Sequence, residues 1–303
     1  MAHSLLGISH HLARDLISAN GHLEAALEAL STAERINTAH LGIDYRSRTG
    51  LAMARTLWLL GFPDRAATCA RNSLDEATTL NHPTTLCVAL TWAVTVALWN
   101  RDWETAEGYI DRLVAHAHSR SLLPYPAVGS GVQGVLSIKR GNAAAGIDLI
   151  RSSLQSLHRH RYEVLTTTLL GALAEGLSML EERDRAIDAI EDALAFAERT
   201  GEVFNLAELL RIKGDVLCSG PRPDRSGAQV CYFRSRDLAQ RQSALGWELR
   251  TAISIARLSS QEGLPDEALV ALRALCGRFT EGFDRPDLVE ARALMLEMEA
   301  SAP

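Results

Sequence analysis

The side chains able to do chemistry are scattered along this chain, and their spacing decides what they can do together. His116 and His118 stand two apart, as do His158 and His160. On a helix that separation is about 200° around the axis, so the imidazoles diverge instead of meeting at a metal. His10 and His11 are adjacent and diverge too. All six read as surface or boundary residues, and no metal site is assigned. Serines are plentiful, yet no Gly-x-Ser-x-Gly nucleophile elbow occurs. Gly129-Ser130-Gly131-Val132-Gln133-Gly134 is glycine-rich, but it lacks the lysine of a phosphate loop and falls at a helix start. No catalytic residue, cofactor or metal is therefore expected, and the chain reads as a non-enzyme.

Recognition chemistry is better represented. Glu208, Arg211, Lys213, Glu248 and Arg250 supply ion-pairing groups, and Arg offers a planar fork for carboxylates. Two readings stand: a ladder of structural ion pairs between neighbouring units, or a charged groove for an acidic or C-terminal peptide group. Trp92 and Trp99 are seven apart and share a helix face, with Trp103 opening the next helix. They read as core, or as an aromatic shelf for a ligand.

Positioning these residues falls to a repeat. Ala26, Ala66, Ala106, Gly146, Ala186, Ala228 and Ala268 recur at intervals of forty residues, with one interval of forty-two. Arg14, Ala54, Val94, Gly134, Ala174, Gly214 and Ala256 form a second ladder with the same two-residue slip. A fixed period of this size marks stacked helical hairpins, none of which buries its apolar face alone. Four residues after each marker stand Leu30, Ala70, Ile110, Ile150, Ile190, Tyr232 and Leu272, on the same helix face. Seven residues after it, Ala33, Ser73, Ser153, Ala193 and Ser235 are small where a partner helix approaches, alongside Leu113 and Leu275. Gly61-Phe62-Pro63-Asp64 and Gly263-Leu264-Pro265-Asp266 repeat one turn, with Gly ending a helix and Pro opening the next.

The expected fold is all-α: a superhelical α-solenoid of about seven tetratricopeptide-like hairpins plus a C-terminal capping helix, in one repeat domain over 1–303. The hairpins are expected at about 3–36, 46–81, 84–120, 126–160, 163–200, 203–243 and 247–279, and the capping helix at about 286–299. The segment 218–227, with its glycines and prolines, should be the one long loop. First helices line the concave side of such superhelices and leave an inner wall open to a guest. Glu208, Arg211, Lys213, Glu248, Arg250, Trp92 and Trp99 are the candidates for that groove.

Composition closes other routes. Across 303 residues the apolar share is 47%, ample for a continuous core, while a formal charge of −6 gives no pull toward nucleic acid. Five cysteines without a Cys-x-x-Cys pair suit structural thiols of a reducing cytoplasm. No apolar run is long enough to cross a bilayer, and the N-terminus shows no secretion signal. A cytoplasmic chain without direct nucleic-acid or membrane binding is expected.

A resemblance adds to this. Ala207-Glu208-Leu209-Leu210-Arg211-Ile212-Lys213-Gly214-Asp215 and Glu248-Leu249-Arg250-Thr251-Ala252 resemble segments of a bacterial tetratricopeptide-like family. Phe279-Thr280-Glu281-Gly282-Phe283-Asp284, with Pro286-Asp287-Leu288 and Glu290-Ala291, resembles its terminal signature. Leu57-Trp58-Leu59-Leu60-Gly61-Phe62-Pro63-Asp64 and Asn81-His82-Pro83 agree upstream. The family is the C-terminal sensor region of signalling proteins with a STAND-type ATPase, joined to a winged-helix transcriptional domain or a class III adenylate or guanylate cyclase. The resemblance implies a protein-interaction or signal-sensing module whose output lies outside these residues. The alternative is a freestanding peptide-binding scaffold. Either way the expected partner is a protein, a peptide or a small effector, and self-association is expected through the uncovered first hairpin.

Overall fold

In the computed structural model, Asp44, His82, Asp102 and Asp224 each accept a hydrogen bond from the amide three residues on, which starts a helix. Pro63 and Pro83 stand at first helical positions, where a missing amide costs nothing. Left-handed residues such as Gly141 (φ 91°) and Gly201 (φ 70°) mark the turns where helices stop. The structure describes residues 2–32, 44–201, 204–263 and 265–300.

Among these residues lie fifteen α-helices and no strand. They are α1 (Ala2–Leu12), α2 (Leu16–Thr32), α3 (Tyr45–Leu59), α4 (Pro63–Thr79), α5 (Pro83–Trp99), α6 (Trp103–Ser119), α7 (Tyr125–Lys139) and α8 (Ala143–Arg159). There follow α9 (Thr166–Met179), α10 (Arg183–Thr200), α11 (Leu206–Cys218), α12 (Arg225–Arg241), α13 (Leu245–Gln261), α14 (Pro265–Cys276) and α15 (Pro286–Ala300). Each odd helix packs against the even helix after it, and each even helix against the next odd one. Successive odd helices also touch, so the hairpins stack side by side around a main apolar core, while α13, α14 and α15 share a second apolar cluster. This is the expected α-solenoid, with α15 covering α13 and α14.

The repeat register differs from the sequence reading in the first hairpin. From α4 onward each marker is the fourth residue of the second helix: Ala66, Ala106, Gly146, Ala186, Ala228 and Ala268. In α2 that position is Ala19, fully buried, and not Ala26 seven residues later. Seven residues are about two helical turns, so both alanines lie on one face and periodicity cannot separate them. The partner ladder shifts equally: Arg14 is an exposed turn residue, and Gly7 takes its place against Leu23. Residues 33–36 of the expected first hairpin, Val203 at the start of the sixth and Leu264 in the second Gly-x-Pro turn lie outside the described residues.

One histidine also departs from expectation. His11 is completely buried, because the inner face of α1 lies on α3. The Thr56 hydroxyl donates to Ala52 O at 2.9 Å, so His11 Nδ1 donates to Thr56 Oγ1 at 2.9 Å and Nε2 is left bare. Burial, then the charge of Arg55, holds the His11 pKa well below the ordinary imidazole range.

The superhelix also closes. α13 reaches across the interior and touches α3, so the last hairpin lies against the second. An inner wall open to a guest was expected; the interior keeps a short trough beside this contact.

Candidate functional site

Helices α7, α9 and α11 turn side chains inward, mostly at the three- and four-residue spacing that keeps one face. Val132, Val135 and Lys139 do so on α7, Thr168, Ala172 and Glu175 on α9, and Glu208, Leu209 and Ile212 on α11. With Leu98 and Trp99 of α5 and Trp247 and Arg250 of α13, they wall an apolar cleft of about 80 Å³. Leu98, Lys139, Glu208 and Arg250 also border a polar chamber of about 170 Å³ that continues to Asp287 and Glu290 of α15. The trough is thus apolar toward α7–α11 and charged toward α13–α15.

Its charges are paired with one another. Arg211 grips Glu208 through two parallel hydrogen bonds of 2.7 and 2.9 Å and also meets Asp215. Arg250 Nε lies 2.8 Å from Asp287, and Nη1 lies 3.4 Å from Glu208. Arg101 and Arg257 hold Glu290, at 2.5 and 2.6 Å, and Lys139 holds Glu175 at 2.6 Å. Burial alone would raise the Glu208 pKa, but Arg211 and Arg250 outweigh it and hold the carboxyl at about 2. A carboxylate so held stays ionised near neutrality.

Arg250 also organises the closure. Its Nη2 donates to Trp99 O at 2.5 Å, while the guanidinium lies 4.9 Å from the Trp58 ring and 5.2 Å from that of Trp247. Trp58, Trp99 and Trp247 form a triangle with centroids 4.6 to 5.3 Å apart, from helices α3, α5 and α13. The indoles are anchored from two sides: Trp58 Nε1 donates to Asn100 at 3.0 Å and Trp247 Nε1 to Phe204 O at 3.0 Å. Gly246 makes the approach possible, since a Cβ there would stand 3.0 Å from Trp58 O.

The sequence-predicted residues divide. Glu208, Arg211, Arg250 and Trp99 come together at the trough. Lys213 instead pairs with Glu191 of α10 at 2.5 Å. Glu248 is buried against Gln240 at 2.8 Å and Arg278 at 2.8 Å. Trp92 lies under the Arg55 guanidinium, 3.8 Å from it, and packs on the core. Residues the sequence reading missed are Asp287, Glu290 and Arg101, which close the charged chamber, and Thr168 and Asn205, which border the apolar cleft, with Thr167 bonded to Asn205 behind it. Asp287 and Glu290 sit in the terminal signature, whose spacing was a signal without a place. The Thr166-Thr167-Thr168 run was visible as an unfavourable helix start.

A wider groove of about 460 Å³ follows α4 between the first two hairpins. Arg46 there pairs with Glu76 at 3.0 Å, and Asp64 is engaged by the C-terminal loop.

Among the described residues no helix is long and apolar enough to cross a membrane, and no group of three His, Cys, Asp or Glu side chains is arranged to hold a metal ion. The five cysteines are free thiols.

No family model matches the sequence, and no curated protein matches it. Solved structures do share the fold. A Rap protein complexed with competence and sporulation factor superposes with a TM-score of 0.68 at 14% identity, over 98% of this chain and 75% of that one. The apo form of RapI gives 0.60 at 10% identity, over 97% and 98% of the two chains. Aspartyl phosphate phosphatase F from Bacillus subtilis gives 0.58 at 12% identity, over 97% and 67%. At these identities the likeness is one of fold: this chain is a tetratricopeptide-like helical repeat protein.

Proposed function

We propose that this chain is a non-catalytic, cytoplasmic interaction and sensing module whose inner trough receives a segment of a protein or peptide. The carrying observation is the position of the trough. Its walls come from α5, α7, α9, α11 and α13, and its far end is the contact between the last hairpin and the second. A guest held there touches both sides of the closure and shifts it by the difference in its affinity for closed and open forms. A protein of the same fold complexed with competence and sporulation factor supports a ligand-taking role. The phosphatase among the neighbours shares only the fold, and the pinned charges of this trough argue for recognition instead of turnover.

On the resemblance of the Glu208–Asp215 and Phe279–Ala291 segments, we propose that the output is a STAND-type ATPase with a transcriptional or cyclase domain, the alternative being a freestanding peptide-binding scaffold. An in-frame phosphate loop upstream in the coding sequence would support that assignment, and a frame without one would remove it.

The trough itself is tested by selecting binders from a random peptide library on the folded chain. Thr168→Trp, placed at the half-buried wall of the cleft, should abolish binding of the selected peptides. Peptides that bind the plugged variant equally well would move the guest site elsewhere.

A further inference from the structure

Asn205 immediately precedes α11, a position where asparagine usually caps the helix, yet its side chain makes no capping hydrogen bond. Asn205 lines the cleft instead, and its Nδ2 donates to Thr167 Oγ1 at 3.0 Å, which fixes the amide and leaves Oδ1 without a partner. The residue is 5% exposed, and Oδ1 has no hydrogen-bond partner. A buried acceptor without a donor is destabilising, so a guest that brings an N–H to this point restores what folding gave up.

The surroundings fix the rest of the guest. Val132, Val135, Leu165 and Leu209 make the wall beside Asn205 apolar. The charges at the rim are engaged with one another, so a charged group entering here must break an ion pair and lose its own hydration. Resting on the reading of the trough as a guest site, we propose that Asn205 Oδ1 is the anchoring acceptor for a secondary amide N–H beside an uncharged aliphatic side chain. Thr167 acts as a positioning residue by holding Nδ2.

Two isosteric probes isolate that hydrogen bond: N-(3-methylbutyl)acetamide, which carries the N–H, and 3-methylbutyl acetate, which replaces it with oxygen. Binding to the full chain is read by NMR from the indole signals of Trp99 and Trp247, both of which line the cleft. Asn205→Ala should lower the amide-to-ester affinity ratio by about five- to tenfold, the worth of one hydrogen bond. Thr167→Val, nearly isosteric and leaving Asn205 in place, should lower the ratio in the same direction and covers the case of a misfolded alanine variant. An unchanged ratio in both variants, absence of binding by either probe, or tighter binding of 4-methylpentanoate than of the amide would overturn the proposal. If the ratio shifts while peptide selection yields nothing, the acceptor stands and the peptide-sensing reading falls. The reverse pattern removes the acceptor alone.

Discussion

Glu281 caps a helix that begins far upstream of it in sequence: its Oε1 accepts the amides of Asp64 at 2.8 Å and Arg65 at 2.9 Å, at the start of α4. Asp64 returns the contact, accepting from Gly282 N at 2.9 Å and Arg285 Nε at 2.7 Å. The loop between α14 and α15 is therefore a latch on the turn between α3 and α4. Glu281→Ala removes a cap, and should cost about 1–2 kcal/mol in urea unfolding. Asp64→Ala should cost a similar amount, and the double variant clearly less than the sum. Strictly additive losses would mean that the two residues do not act as one latch.

Closure can be tested by geometry without touching a charge. In Gly246→Ala the new methyl would meet Trp58 at 2.9 Å from Cζ3 and 3.0 Å from the carbonyl oxygen, where backbone cannot yield cheaply. An alanine is otherwise favoured over glycine inside a helix by about 1 kcal/mol. The variant should show a larger radius of gyration by small-angle scattering and weaker near-ultraviolet dichroism from the tryptophan triangle. A stabilised protein with unchanged dimensions would mean that α13 and α3 are apart in solution.

Arg250 links Glu208, Asp287, Trp99 and two indole faces from a partly buried position. Arg250→Ala leaves partly buried carboxylates short of a partner and should destabilise by about 3 kcal/mol, measured by thermal and urea unfolding. Lys213→Ala, which removes an outward ion pair with the half-exposed Glu191, should cost under about 1 kcal/mol. Equal losses in the two variants would contradict the linking role of Arg250.

Acid should weaken the fold in two stages. The native state holds His11 neutral, with its pKa lowered, so the unfolded chain binds the extra proton. Stability is then full above the ordinary imidazole pKa and falls as pH drops through it, by at most about 1.4 kcal/mol per pH unit. Glu208, held at about 2, contributes stability above the ordinary carboxylate pKa that is lost on further acidification, of order 3 kcal/mol. His11→Phe should flatten the first stage and leave the second. A wild-type curve that is already flat between pH 7 and 5 would show that His11 titrates normally.

Much of the architecture was written in the order of residues. The forty-residue period, the Pro and Gly punctuation and the small-residue markers determine helix pairs that must stack, because each is a local property of one helix or turn. The same locality explains the error of the first hairpin, where Ala19 and Ala26 share a face and only packing against α1 and α3 selects between them. Glu208, Arg211 and Arg250 were legible as a recognition set because they share one face of consecutive first helices. Lys213 and Glu248 belong to the same segments but point elsewhere, since two residues along a helix is more than half a turn.

What the tertiary structure alone decided is closure. No local rule links Glu281 to Asp64, Arg101 to Glu290, or Trp58 to Trp247; those pairings depend on the curvature summed over every hairpin between them. Small rotations per repeat accumulate, and they bring residues of α13 against α3. That accumulated angle also converts Asn205, an ordinary helix-start residue by sequence, into an unpaired acceptor on the wall of the trough.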